Sequence, residues 1–111
     1  MKWNLWLDDQ INDPDAENRW TPENYVGAES SDAAINLVQK FGPPELMDLD
    51  HDLGEGDDAM IFLKWLSDNY YDQIPGYVVH SSNPVGRKNI ISFMESWRKS
   101  IYPKSQEDPC L

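Results

Sequence analysis

Apolar positions in this chain gather into short runs separated by amphipathic, well-punctuated stretches. "KWNLWLDD" is nearly continuous in apolar residues and ends in acids. That is the pattern of a strand buried on both faces whose carboxy end opens into a site. "QINDPDAENRWTPEN" has no helical face of any length and predicts a loop with at most one helical turn. "YVGAE" predicts a short second strand. "SSDAAINLVQKFGPP" predicts a helix, with Ser30 or Ser31 as N-cap, Ala34, Leu37, Val38 and Phe41 on one face, and Gly42 and two prolines as the stop. "ELMDLD" predicts a third strand. In "DDAMIFLKWLSDNYY", Phe62, Leu63, Trp65, Leu66 and Tyr70 recur at helical spacing behind Asp57 or Asp58 as cap. "IPGYVVHSSN" predicts a fourth strand. "NPVGRKNIISFMESWRKS" predicts a last helix, capped by Asn83, with Pro84 in its first turn and Ile90, Phe93, Met94 and Trp97 facing inward. This β/α alternation predicts an open, mainly parallel α/β sheet with helices on both faces, hence three layers.

Composition sets the scale of that fold. A chain of 111 residues, 40% hydrophobic and 12% aromatic, can bury one core without covalent staples. We expect a single domain over residues 1–100 and an irregular C-terminal tail over 101–111. The tryptophans and the apolar stripes are expected to be core. The single cysteine, Cys110, excludes an intramolecular disulfide and suits a reducing compartment. No stretch approaches the roughly 20 apolar residues of a membrane span, and "MKWNLWLDDQ" meets two aspartates too early for a leader. The expectation is a cytoplasmic protein without membrane association and without a predicted protein partner. Net charge then narrows function. At −11, the chain repels the phosphates of duplex nucleic acid. It can still bind a small phosphate-containing ligand through an ion or a few placed cations.

Candidate chemistry collects at one rim. In open α/β sheets ligands bind beyond the carboxyl ends of the strands. Strand one ends in Asp8 and Asp9, strand three in Asp50, His51 and Asp52, and strand four in His80, Ser81, Ser82 and Asn83. In the strand order 2-1-3-4 these ends are neighbours about 4.8 Å apart. Both histidines of the chain then share a rim with four acids.

"WLDD" closing strand one, and an aspartate closing strand three before a glycine turn, resemble the response-regulator receiver domain. The longer strings "LDHDLG" and "VHSSNPVG" resemble a receiver-derived family predicted to process cyclic phosphates. That resemblance covers roughly residues 3 to 97 and implies a flavodoxin-like, receiver-like sheet. It further implies that Asp8 and Asp9 form the acid pair of an Mg²⁺ or Mn²⁺ site and Asp50 the strand-three aspartate. Asp52 would lie where the family places a backbone carbonyl on the metal. The chain departs from receivers in a reduced first helix and a missing or degenerate fifth strand and helix. Lys104 stands in the wrong context to replace the fifth-strand lysine.

The residue types suit phosphate chemistry. Three crowded acids call for a hard cation, unless Asp8 or Asp9 only caps a turn. His51 and His80 can act as an acid–base pair for a phosphodiester, or as hydrogen-bonded structural histidines. Arg87 and Lys88 oppose the dipole of the last helix, which marks them as phosphate ligands or as solvated charges. Gly86, and free N–H groups after Asn83, would let an anion approach the backbone. Ser81, Ser82 and Asn83 offer further contacts to phosphate oxygens. Asp48 lies deeper on the strand side of Asp50 and is expected to support a ligand from behind or to be structural, rather than to be a ligand itself. Arg19 and Trp20 are placed to cover a base or sugar. Three functions are compatible with these groups: a metal-dependent phosphoesterase, a receiver or pseudo-receiver switch phosphorylated on Asp50, or a binder of a phosphate messenger without turnover.

Overall fold

The computed structural model describes residues 2–11 and 21–102. Among these, strands β1 (Asn4–Leu7), β2 (Val26–Ala28), β3 (Leu46–Leu49) and β4 (Gly76–Val79) form one sheet. Every pairing is parallel and the order is β2-β1-β3-β4, as the sequence predicts. Helices α1 (Ser31–Phe41), α2 (Ala59–Asn69) and α3 (Pro84–Ile101) follow β2, β3 and β4.

Local chemistry starts and stops the helices. Ser30 is extended, and its hydroxyl accepts from the N–H of Ala33. Gly42, at φ 84°, ends α1 by turning its own N–H back to the carbonyl of Val38. The Asp58 carboxylate takes the N–H groups of Met60 and Ile61 at the start of α2. The Asn83 side chain accepts from Val85 and Gly86 at the start of α3, where Pro84 has no N–H to satisfy. Asp57, adjacent to the α2 cap, reaches instead to α1 and accepts from the backbone and hydroxyl of Ser31 at 2.9 and 2.5 Å.

The parallel register aligns Leu7 with Ala28 and Leu49, and Leu49 with Val79. These side chains point to one face and meet Ala34 and Val38 of α1, Phe62, Leu63 and Leu66 of α2, and Ile90, Met94 and Trp97 of α3 in a single buried core. Fully burying one such large side chain contributes roughly 1.5–3 kcal/mol. Burial along β1 and β3 alternates, so the expectation of a first strand buried on both faces is corrected. On the second face Asn4, Trp6, Leu46 and Asp48 are only half-buried. Among the described residues all three helices cover the first face. The β1–β2 connection includes residues 12–20, which lie outside the described residues. The expected reduced first helix, Arg19 and Trp20 fall there too. Helix α3 runs through Ile101, and residues 103–111, with Lys104 and Cys110, likewise lie outside the described part. Among the described residues no helix is long and apolar enough to cross a membrane.

Candidate functional site

Three residues just past the strand ends continue the parallel ladder by one rung. The N–H of Asp8 donates to Ala28, that of Asp50 to Leu7, and that of His80 to Leu49, at 3.0, 2.9 and 2.9 Å. The sheet thus holds three polar residues side by side in the backbone geometry of strands. Period-two alternation turns them toward the second face, the face of Trp6 and Asp48. There Asp8, Asp50 and His80 each present a potential ligand atom, and these atoms lie within 4.8 Å of one another.

Asp8 is completely buried. One carboxylate oxygen accepts from the N–H of Gln10 at 2.9 Å, and the other lies 3.2 Å from His80 Nε2. His80 is held on its other edge as well, with Nδ1 2.7 Å from an Asp48 oxygen. An ionised carboxylate only accepts, so this Nδ1 carries the hydrogen. The imidazole also lies flat on the Trp6 indole, with centroids 4.2 Å apart and planes 7° from parallel. Tyr25 packs edge-on against the same indole. Trp6 Nε1 is buried without a hydrogen-bond partner among the described residues. Trp6 is therefore a site residue that the sequence left among the core. Its signal was the alternation that places it two positions before Asp8.

The second histidine belongs to a separate small network. His51 Nδ1 lies 2.8 Å from an Asp52 oxygen, and the Asn83 amide donates to both Asp52 oxygens at 3.3 and 3.2 Å. These two contacts, His51 first, hold the Asp52 carboxyl below the usual carboxylate range. The His51 ring sits directly over Gly86, where an added Cβ would lie 2.4 Å from its Cγ. The close approach expected of a ligand at Gly86 is thus made by His51.

The other predicted positions fall around these two networks. Asp9 faces the turn of Gly54, which has φ 99°, with one oxygen 3.9 Å from where a Cβ on that glycine would stand. Asp52 is committed to His51 and Asn83, and it lies outside the Asp8–Asp50–His80 group, as does Asp9. The free N–H groups expected after Asn83 are taken: those of Val85 and Gly86 by its side chain, and that of Arg87 by its carbonyl. Arg87 folds back so that Nη1 donates to the carbonyl of Val79 at 2.8 Å. The Ser81 hydroxyl accepts from the N–H of Asn83, while Ser82 and Lys88 are exposed.

Two carboxylates and an imidazole within reach of one another can hold a divalent cation or move a proton. The family model of the cyclic-phosphate processing receiver domain matches residues 3–96 of this chain. No curated protein and no solved structure gives a significant match. The match spans most of the chain, which therefore belongs to the cyclic-phosphate processing receiver family.

Proposed function

We propose that this receiver-like domain is a metal-dependent phosphoesterase that opens a cyclic phosphate or another small nucleotide-derived phosphate. One observation carries the proposal: the convergence of Asp8, Asp50 and His80 at the strand ends of a domain whose family is associated with cyclic-phosphate processing. The donor set fits a divalent ion, Mg²⁺ or Mn²⁺, held by Asp8 and Asp50. Such an ion would neutralise phosphate oxygens and acidify a water. The chain's own groups supply the rest. Hydrolysis forms one P–O bond to water and breaks one ring P–O bond, so a proton leaves the water and another reaches the departing oxygen. His51, held at Nδ1 by Asp52, would use its other ring nitrogen, Nε2, for that transfer. Ser82 and Lys88, exposed at the start of α3, can meet the phosphate.

Purified protein, assayed with Mg²⁺ or Mn²⁺ against 2′,3′-cyclic, 3′,5′-cyclic and ADP-ribose-type phosphates, is expected to release a ring-opened or hydrolysed product. His51→Ala should lower kcat by about 10²–10⁴-fold without loss of folded structure. Retention of a ligand without product would identify a messenger binder. A stable acyl phosphate on Asp50 after acetyl phosphate treatment would identify a switch. Either result overturns the hydrolase.

A further inference from the structure

We infer that His80 is a direct nitrogen ligand of the divalent ion, with Asp48 as its positioning residue, so that the site selects a first-row transition ion such as Mn²⁺ over Mg²⁺. This rests on the reading that an ion sits between Asp8 and Asp50. It reassigns His80 from the proton-transfer role that its residue type suggested.

Three features of the imidazole support it. Asp48 takes the Nδ1 hydrogen, and in a neutral ring that leaves the Nε2 lone pair facing outward. That lone pair meets an Asp8 oxygen at 3.2 Å. Two acceptors face to face need a positive centre between them, either a second ring proton or a cation. Asp50 decides between these. A single proton is satisfied by one acceptor, whereas here a third ligand atom, from Asp50, lies within 4.8 Å of the other two. The spacing also suits coordination. Donor atoms about 2.1 Å from one ion lie ~3.0 Å apart when adjacent in an octahedron and ~3.4 Å apart in a tetrahedron. The 3.2 Å separation falls inside that interval.

The second feature is orientation. A metal-binding histidine commonly donates its other N–H to a carboxylate, which fixes the tautomer and the ring direction. Asp48 does this from the middle of the sheet, where its backbone is locked in register between Trp6 and Val78. The third is the parallel indole of Trp6, which sets the plane of the ring. A general acid or base benefits from access to its substrate, whereas His80 has both edges and one face occupied by protein groups. An imidazole donor favours Mn²⁺, Fe²⁺ or Zn²⁺, since Mg²⁺ prefers oxygen ligands and keeps its waters.

The chain has two histidines, so a nitrogen signal can be assigned with one substitution at each. The test is electron spin-echo modulation of the full chain loaded with Mn²⁺, together with Mn²⁺ and Mg²⁺ affinities by calorimetry. Wild type should show ¹⁴N modulation from a coordinated imidazole, and His51→Gln should keep it. His80→Gln should lose it and bind Mn²⁺ at least tenfold more weakly, with less change for Mg²⁺. Asp48→Asn, the milder variant, should keep the modulation and lose about 10–100-fold in Mn²⁺ affinity. Bound Mn²⁺ without nitrogen coupling in the wild type, or coupling that disappears with His51, would overturn the assignment. Metal-dependent hydrolysis without nitrogen coupling would leave the phosphoesterase standing and remove His80 from the coordination sphere. Nitrogen coupling without hydrolysis would do the reverse.

Discussion

Replacing a helical glycine by alanine ordinarily gains about 1 kcal/mol of helix stability. At Gly86 the reverse is expected, because the new methyl would lie 2.4 Å from His51 Cγ and 2.8 Å from its Cβ. The Cβ of His51 is too close to its backbone to swing aside as a flexible tip would. Gly86→Ala should therefore cost about 1–3 kcal/mol, the range for overpacking. It should also displace His51 from Asp52. Urea denaturation reads the first effect, and a midpoint above wild type would show that His51 does not rest on this glycine. The case also shows what was legible in single residues. "NPVG" announced a position that needs no side chain, but the neighbour that forbids one comes from the far side of β3. Asp48 is similar: alternation put it beside Asp50, whereas its partner depends on how far His80 reaches across from β4. Trp6 was hidden for a different reason, since an indole in an apolar run has the composition of core whichever face it takes.

The elements themselves were legible because their signals are local. Ser30, Asp58, Asn83, Pro84 and Gly42 act within four residues of where they stand, and the register follows once alternation and handedness are fixed. Ties between elements were not legible. Asp57 reads as a cap for α2 yet binds Ser31 at the start of α1. Tyr77 on edge strand β4 donates its phenol hydrogen to Glu95 of α3 at 2.9 Å. Burial first, and then the bond to Glu95, raise the Tyr77 pKa above its ordinary value. A raised folded-state pKa means that the fold holds this proton more tightly than the unfolded chain does. The stabilisation is complete below the unfolded tyrosine pKa, near 10, and is lost as pH rises through the higher folded value. Stability measured in urea from pH 8 to 11.5 should fall less steeply for Tyr77→Phe than for wild type. Parallel slopes would show that the β4–α3 tie carries no proton linkage.

For the whole molecule the governing quantity is the excess of 20 acids over 9 basic residues. Such an imbalance strains the compact state by self-repulsion, and two kinds of cation relieve it differently. Sodium chloride screens the diffuse charge at any surface, with a Debye length falling from about 30 Å at 0.01 M to 10 Å at 0.1 M. Wild type and Asp8→Asn should both become more stable over that range. A bound divalent ion acts at one place and by mass action, adding about 2.7 kcal/mol at a hundred times its dissociation constant. Mn²⁺ should give that increment to wild type and not to Asp8→Asn. Equal Mn²⁺ effects in both would reduce the site to general acidity. The charge was plain from composition, and the gathering of acids at the strand ends followed from the predicted strand order. That gathering requires β1, β3 and β4 to lie side by side in a register that turns Asp8, Asp48 and Asp50 the same way.

The indole lying flat against His80 has a magnetic consequence. Nuclei held over the face of an aromatic ring are shielded by its induced current, so the carbon-bound protons of His80 should resonate upfield of ordinary imidazole positions. Those of His51, which rests on the backbone of Gly86, should not. A chain with two histidines gives an imidazole spectrum of two residues, and the stack separates them without mutagenesis or isotopic editing. Titration of a diamagnetic ion such as Zn²⁺ then reports on each ring independently, and paramagnetic Mn²⁺ should broaden the shielded pair first.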